Sequence, residues 1–171
     1  MLLALDVVVV GGVGMNAGRS LIGFFLICFA AAAIGGTATG SSLGTWYQSL
    51  RKPALTPPGW VFGPVWTILY SFMAIAAWLV WRRGRGTKAG RRAMIFFSAQ
   101  LALNALWSIL FFGLQLPGAA LVDIGLLWAS IVGWLVASWR LDRRAAFLIA
   151  PYLAWVSFAA YLNFQIWRLN Q

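Results

Sequence analysis

The residues best able to do chemistry in this chain are aromatic. The sequence has 11 tryptophans and no histidine, and its acidic residues are three aspartates. Without histidine there is no Ser-His-Asp or Cys-His catalytic site and no histidine metal ligand. Paired-carboxylate catalysis lacks a partner, because Asp6 lies in an apolar tail and Asp142 lies among arginines. We therefore expect no metal site and no conventional hydrolytic chemistry, but indoles that stack on flat ligands or take part in electron transfer.

One stretch concentrates these aromatic residues with prolines and two adjacent cations, WYQSLRKPALTPPGWVFGPVWTILY (46–70). Its prolines remove backbone freedom, so the segment is stiff before anything binds to it. Arg51 and Lys52 offer positive charge to an anionic group at a rim, and the aromatic side chains offer flat apolar faces. These features predict a lid over a site for a large, planar, mostly apolar ligand with a negative end. A porphyrin matches that description, and a sterol matches only its apolar part.

Long uncharged intervals show which elements must position this segment. Charged residues are 9% of the chain, and they cluster between apolar stretches. A helix that crosses a bilayer core of about 30 Å needs about 20 apolar residues, and it satisfies its own backbone groups in lipid. The pattern predicts an all-α integral membrane protein, a bundle of five transmembrane helices. We place the spans near residues 21–39, 61–81, 93–113, 118–139 and 145–167.

The chain is expected to contain one five-helix domain, residues 20–171, preceded by an N-terminal stretch, residues 1–19. That stretch is apolar but too short to span, it carries Asp6, and it lacks the basic start of a signal peptide. We interpret it either as a disordered extension or as a start-site artefact, with translation beginning at Met15.

The distribution of charge predicts the orientation of the bundle. The net charge is +10, and with five spans ten of the 13 cations fall on one face of the membrane. The positive-inside rule then places the amino terminus in the cytoplasm and the carboxyl terminus outside. The basic loops also attract anionic lipid head groups. Because membrane topology accounts for the positive charge, we expect no nucleic-acid partner.

Three rows of residues at four-residue spacing predict which helix faces point inward. Residues four apart share one face of a helix, and polar side chains in a span avoid lipid. An alternative interpretation also explains this spacing: the amides form hydrogen bonds between helices and the aromatic side chains fill the space between them. The spacing does not distinguish this packing role from a ligand site. The rows are Phe62, Trp66 and Tyr70; Gln100, Asn104 and Ser108; and Pro151, Trp155, Ala159 and Asn163.

The deeper tryptophans and amides converge on one half of the membrane. A helix rises about 1.5 Å per residue, and alternating helix directions put Trp66, Trp107 and Asn163 near the end that carries the 46–70 segment. Trp155 lies near the midplane. Aromatic and amide groups are therefore expected to share one half of the bundle beneath a rigid loop, as parts of a ligand site.

Asp123 is the only charged residue inside a predicted span, which makes it a functional candidate by default. We expect Asn104 or the indole N–H of Trp107 to be its partner. A structural hydrogen bond between the third and fourth helices explains this residue as well as a proton relay does. Gly36 and Gly40 mark a candidate close helix contact in the first span, a pattern also found in helix dimers.

Four segments in order make the sequence resemble the translocator protein family, also called the tryptophan-rich sensory protein (TspO/MBR) family or the peripheral benzodiazepine receptor. The likeness covers about residues 21–170. It implies a five-helix bundle, often dimeric, with a pocket capped by the first loop that binds porphyrins, haem-related tetrapyrroles, sterols or synthetic benzodiazepine-type ligands. The segments are 46–70, QLALNALWSILFFG (100–113), DIGLLW (123–128) and PYLAWVSFAAYLNFQIWRLN (151–170).

Carried over residue by residue, the resemblance implies specific site residues. In bacterial relatives the positions of Trp66 and Trp155 are linked to light-dependent degradation of protoporphyrin, so both are catalytic candidates if this chain has that activity. Asp123 matches a carboxylate position in the fourth helix. The candidate ligand is protoporphyrin IX or haem, and no further cofactor is implied. The implied pocket includes Tyr47, Trp66, Tyr70, Asn104, Trp107, Trp155 and Ala159.

One departure from the family pattern bears on sterols and on location. Animal members have a tyrosine-containing cholesterol consensus at the end of the fifth helix, where this chain has Phe164 and Gln165. Six residues separate Tyr161 from Arg168, one more than the loose sterol consensus allows. Sterol binding is therefore less favoured than porphyrin binding. The same departure favours a bacterial envelope membrane over the mitochondrial outer membrane.

Three functions are compatible with these residues. A membrane receptor or carrier would bind a tetrapyrrole and link its level to stress or pigment regulation. A light-dependent enzyme would degrade the porphyrin, with excited porphyrin and oxygen supplying the reactivity. A proton-coupled transporter using Asp123 is less favoured, because transporters usually spread ionisable groups along a path. The expected partners are a tetrapyrrole, membrane lipid, a second copy of the chain in a homodimer and, less favoured, a sterol.

Overall fold

Residues 17–171, the part of the chain that the computed structural model describes, form five long helices. Each helix is long and apolar enough to cross a membrane, so the prediction of an all-α bundle with five spanning helices is confirmed. The interpretation of the N-terminal stretch lies outside the described residues, apart from residues 17–19, which begin the first helix. In chain order the helices are α1 (Ala17–Leu43), α2 (Phe62–Gly84), α3 (Lys88–Ser108), α4 (Pro117–Trp139) and α5 (Arg143–Leu169).

Side chains at three helix starts explain where those helices begin. Thr87 precedes α3, and its Oγ1 accepts a hydrogen bond from the Gly90 N–H at 3.0 Å. Asp142 precedes α5, and its Oδ1 accepts from the Arg144 N–H at 3.0 Å. Both bonds satisfy backbone donors that a helix start leaves without an intrahelical partner. Pro117 lies in the first turn of α4, where its missing N–H removes no helical hydrogen bond.

The connection between α3 and α4 is short and sharply bent. α3 runs into a π-helical turn, Ile109–Gly113, before the chain reverses. Gln115 adopts a positive φ of 57°. Leu116 has φ −110° and ψ 73°, outside the helical region, as expected for a residue that precedes a proline. This local chemistry makes α3 and α4 antiparallel neighbours.

The five helices pack in a closed ring. α1 packs against α2 and α3, α3 against α4, α4 against α5, and α5 back against α2. A single-turn helix, Trp46–Ser49, and a 3-10 turn, Gly59–Val61, lie in the connection between α1 and α2. We call residues 44–61 the α1–α2 loop and the half of the bundle beside it the loop half. The opposite half, which carries the connections 85–87 and 140–142, is called the basic half.

The basic half is packed backbone to backbone. A Cβ added to Gly90 would overlap the carbonyl group of Gly84, so the end of α2 and the start of α3 touch without intervening side chains. Gly86 joins them with a φ of 76°, a conformation that favours glycine. Arg83 Nε lies 3.1 Å from Asp142 Oδ2, which ties the two basic connections together. These contacts hold the two basic connections together at one end of the bundle.

Candidate functional site

The loop half encloses a cavity of about 520 Å³. This volume is within the range of small-molecule sites, roughly 300–1,000 Å³. Residues from α1, α2, α3 and α5 form its wall, and the α1–α2 loop contributes Tyr47 and Gly59. The structure thus brings together residues that the sequence placed on separate helices. The candidate residues on the wall are Tyr47, Phe62, Trp66, Tyr70, Asn104, Trp107, Trp155 and Ala159.

One side of the cavity is a continuous aromatic surface built by α2 and α5. Phe62, Trp66 and Tyr70 occupy successive turns of α2 and all line the cavity, as the four-residue spacing predicts. The ring centroids of Trp66 and Tyr70 are 5.5 Å apart. Trp155 of α5 meets Phe62 edge to face, with centroids 6.0 Å apart. Rings that contact one another in these geometries hold their orientation and leave their remaining faces to a ligand.

The opposite side carries Trp107 of α3, whose orientation is set by an amide. Its indole Nε1 donates to Asn163 Oδ1 at 3.0 Å, and its ring stacks on Phe111 with centroids 5.2 Å apart. Asn163 Nδ2 in turn donates to the Pro117 carbonyl oxygen at 2.8 Å. Asn163 is buried but does not line the cavity. Its place is therefore behind the wall, where it holds Trp107 instead of contacting a ligand.

A chain of buried hydrogen bonds forms the polar part of the site. Tyr70 donates to Asn104 Oδ1, Asn104 Nδ2 donates to the Tyr152 hydroxyl at 3.1 Å, and Tyr152 donates to Gln100 Oε1 at 2.8 Å. All four residues are buried, so the inward direction predicted for the Gln100 row is confirmed. Tyr152 was missed by the sequence reasoning, which placed its neighbour Pro151 on the inner face. Pro151 is exposed, and that part of the prediction is wrong, because the face of α5 that meets α2 and α3 at this level begins one residue later.

The first helix closes the cavity with small residues. Gly35 packs closely on α3, because an added Cβ would lie 3.0 Å from Ser108 Oγ. A Cβ added at Gly36 or Gly40 would meet nothing within 4 Å among the described residues. Among the described residues these two glycines make no close contact with another helix of the bundle, and a contact with a second copy of the chain stays a prediction. The α1 residues on the wall are Phe29, Ala32, Ala33, Gly35, Gly36, Thr39, Gly40 and Leu43.

Comparison with known proteins agrees with this architecture. Residues 24–168 match the TspO/MBR family. The chain belongs to the TspO/MBR family. It is 44% identical over 144 residues to the tryptophan-rich protein TspO of Chlorobaculum tepidum, a match that covers 84% of this chain and 91% of that relative. It is 42% identical over 126 residues to the translocator protein of Homo sapiens, covering 73% and 75%. It is 40% identical over 142 residues to the tryptophan-rich sensory protein of Cereibacter sphaeroides, covering 81% and 87%.

These similarities confirm the resemblance identified from the four sequence segments. They also confirm that the chain is a multi-pass integral membrane protein, since the family match runs through all five apolar helices. Among the described residues no group of three or more side chains is placed to hold a metal ion. The candidate site of this TspO/MBR protein is an aromatic cavity with a few hydrogen-bonding groups.

The two loop cations do not lie on the cavity wall. Lys52 Nζ donates to the carbonyl oxygens of Tyr47, Gln48 and Leu50 at 2.7, 3.1 and 3.1 Å, and it lies 5.0 Å from the Tyr47 ring centroid. Its ammonium group therefore folds the loop on itself and supports Tyr47. Burial raises the pKa of the Tyr47 phenol, so this ring stays neutral at the edge of the cavity. Arg51 is exposed, and its contacts with the rest of the chain are made by its backbone.

Asp123 is buried in α4 and does not line the cavity. Its expected partners bond to other residues: Asn104 pairs with Tyr70 and Tyr152, and the Trp107 indole pairs with Asn163. The expected bond to Asp123 is therefore wrong, because groups on α2 and α5 occupy both candidates. Asp123 Oδ2 has no hydrogen-bond partner within the described part of the chain.

Proposed function

We propose that this protein is a membrane receptor that binds a tetrapyrrole of the porphyrin or haem type in the loop-half cavity. The observation that carries the proposal is the convergence of Trp66, Trp107 and Trp155, from three different helices, on one cavity. Indoles are the largest flat apolar side chains, and a planar ligand between them gains both burial and stacking. A link to stress or pigment regulation is supported by the name of the Cereibacter sphaeroides relative, a tryptophan-rich sensory protein.

The placement of polar groups supports an orientation of the ligand. Asn104 lies on the wall with its amide already bonded to two tyrosines, so it offers at most one further hydrogen and one lone pair to a ligand. The Lys52 ammonium group lies beside Tyr47 at the loop end, 5.0 Å from the ring centroid. We propose that the macrocycle lies between the indoles and that its carboxylates face the α1–α2 loop. Sterols, which lack such carboxylates, are expected to bind more weakly.

Titration with protoporphyrin IX tests the proposed receptor function. The purified protein in detergent should show saturable quenching of tryptophan fluorescence, because the bound macrocycle lies against the indoles. The double variant Trp66→Phe with Trp155→Phe should bind at least about tenfold more weakly, which corresponds to about 1.4 kcal/mol. Trp139→Phe is the control, since Trp139 is in the basic half, where it packs against Phe147. Equal affinity in the double variant and the control would contradict the assigned site.

A second candidate function, light-dependent porphyrin degradation, is favoured by the position of two indoles. Trp66 and Trp155 both line the cavity, and Phe62 lies against Trp155 at its edge. Excited porphyrin and oxygen would supply the reactivity, and an indole at contact distance would take part in electron or radical transfer. Illumination of the complex distinguishes the two functions. A new absorbing product that is lost in Trp155→Phe supports catalysis, and an unchanged spectrum supports binding alone.

We propose further that the basic half faces the cytoplasm of a bacterial cell and that two copies form a homodimer. Guanidinium groups at that end lie over indoles, Arg82 over Trp78 at 4.6 Å and Arg85 over Trp81 at 5.0 Å from the ring centroids. Such pairs suit the membrane–water interface, where anionic lipid head groups lie. Labelling of single cysteines from either side of intact cells tests the orientation, and light scattering in detergent tests the dimer.

A further inference from the structure

Asn170, the residue that follows α5, holds the α1–α2 loop through its side chain. Asn170 Oδ1 accepts a hydrogen bond from the Arg51 N–H at 3.0 Å, and Asn170 Nδ2 donates to the Arg51 carbonyl oxygen at 3.0 Å. A third bond runs from Nδ2 to the Ile166 carbonyl oxygen at 2.8 Å. Both hydrogens of the Asn170 amide are therefore used. The side chain bonds to both the N–H and the carbonyl oxygen of Arg51, as a residue of a neighbouring β-strand would.

The position of Arg51 in the loop makes this contact significant. The loop contributes Tyr47 and Gly59 to the cavity wall, and Arg51 lies between them. Before Arg51 the loop is anchored by apolar packing, since Trp46 and Tyr47 contact Phe111 with ring centroids 5.7 and 6.4 Å away. At Arg51 the Asn170 amide joins the loop to α5 through two hydrogen bonds. Lys52 bonds back to Tyr47, Gln48 and Leu50, so the Asn170 contact lies at the end of the anchored part of the loop, just before residues 53–58.

Each part of the loop keeps its own shape without the Asn170 contact. Lys52 binds three carbonyl oxygens that precede it. The Thr56 N–H and hydroxyl both donate to the Pro53 carbonyl oxygen, at 3.0 and 2.8 Å. Prolines stiffen the remainder. A stiff segment of this kind moves as a unit, so a contact near one end of it can shift the balance between its closed and open positions.

We propose that Asn170 is a positioning residue, a latch whose release opens the cavity and sets the rate of ligand exchange. The two bonds to Arg51 are exposed, so water competes with them and the latch can open without unfolding the bundle. The ligand part of this inference rests on the proposed function. The opening itself does not, because it depends only on the contact between Asn170 and the Arg51 backbone.

Ligand kinetics test the latch with a signature that simple loss of structure would not give. In Asn170→Ala both the association and the dissociation rate constants of protoporphyrin IX should rise about tenfold, the factor expected when two exposed hydrogen bonds are lost. The dissociation constant should change by less than about twofold, because opening precedes entry and exit alike. Gln171→Ala is the matched control and should behave as wild type, since it removes the neighbouring exposed amide and leaves the bonds between Asn170 and Arg51 in place. Unchanged rates in Asn170→Ala, or weakened affinity without faster rates, would overturn the proposal.

A measurement without porphyrin separates failure of the latch from failure of the proposed function. Thr39 lines the cavity and can be replaced by cysteine. In Thr39→Cys a charged thiol reagent, which does not enter through lipid, should label the cavity slowly, and addition of Asn170→Ala should speed labelling about tenfold. Cys28 is fully buried and can stay in place. If Thr39→Cys is labelled equally fast with and without Asn170→Ala, the latch is refuted, whether or not porphyrin binds. If Asn170→Ala speeds labelling but porphyrin does not bind, the latch stands and only the receptor proposal fails.

Discussion

The two halves of the bundle are built from the same five helices, yet one is filled and the other encloses a cavity. In the basic half, small residues let backbones meet, as Gly84 and Gly90 do. In the loop half, Gly36 and Gly40 of α1 border open space. A small residue therefore produces close packing only where the facing element can approach it. What differs between the halves is the set of side chains that hold the helices and rings in place.

Hydrogen bonds keep the loop half from collapsing into its own cavity. Asn163 fixes the Trp107 indole, and Asn104 is bonded to Tyr70 on α2 and Tyr152 on α5. At the end of α1, Ser42 Oγ donates to the Phe112 carbonyl oxygen at 2.6 Å, which joins α1 to the π-helical turn. Rings held by these hydrogen bonds cannot swing inward to fill the cavity. The cavity is thus kept open by the polar groups that bond to its aromatic wall.

The largest effect is expected where the same glycine substitution is made in each half. Gly90→Ala should lower the free energy of unfolding by about 3 kcal/mol or more, because the new methyl group would overlap the backbone of Gly84. Gly36→Ala should raise the free energy of unfolding by about 0.5 kcal/mol. The new methyl group has no atom within 4 Å among the described residues, and alanine favours the helix. Thermal unfolding in detergent measures both. Shifts of the same sign and size would remove the contrast between the halves.

A smaller effect is expected from the hydrogen-bond chain of the loop half. Tyr152→Phe leaves the Asn104 amide and Gln100 Oε1 each without one partner, which should cost about 1 kcal/mol of stability. Tyr161→Phe is the matched control, because Tyr161 is exposed and accepts only a 3.3 Å bond from Gln165. Chemical denaturation curves in mixed micelles would compare the two. If Tyr152→Phe is as stable as the control, the chain does not support the aromatic wall.

The smallest effect is expected from the ion pair of the basic half. Arg83→Met removes the guanidinium from Asp142, and the cost should be about 0.5 kcal/mol because the Arg83 side chain is 54% exposed. Asp142 keeps its bond to the Arg144 N–H, so the start of α5 should stay intact. Porphyrin affinity should not change, since this pair is at the opposite end from the cavity. A change in porphyrin affinity would show that the basic half and the loop half are coupled, and it would contradict their independence.

Much of the fold and part of the site could be predicted from the sequence. Charge-free intervals of sufficient length define spanning helices, because lipid excludes charges wherever the chain crosses. The four-residue spacing of Phe62, Trp66 and Tyr70 likewise identified a face of α2, since the helix repeat fixes which residues share a side. These predictions depend on local geometry alone, and local geometry is what a sequence pattern carries.

Other features depend on which groups on distant segments find one another. The sequence predicts Asn104 or Trp107 as the hydrogen-bond partner of Asp123. In the structure Asn104 bonds to Tyr70 of α2, and Trp107 bonds to Asn163 of α5. The small residues of α1 indicate packing or an empty space equally well, and only the facing helices decide between them. Asn170 is a single polar residue near the end of the chain, and nothing local indicates that it meets Arg51. Such pairings arise from tertiary structure and could not be predicted from spacing.

Filling the cavity of the loop half tests whether it binds a flat ligand. Gly36 lines the cavity, and a Cβ added there meets nothing within 4 Å among the described residues, so Gly36→Phe should place a ring in the cavity without distorting the helix bundle. Wild-type protein and Gly36→Phe would be titrated with protoporphyrin IX in the same lipid nanodiscs. We expect saturable one-site quenching of tryptophan fluorescence for the wild type and at least about a hundredfold weaker binding for Gly36→Phe. Equal binding by two well-folded proteins would contradict it.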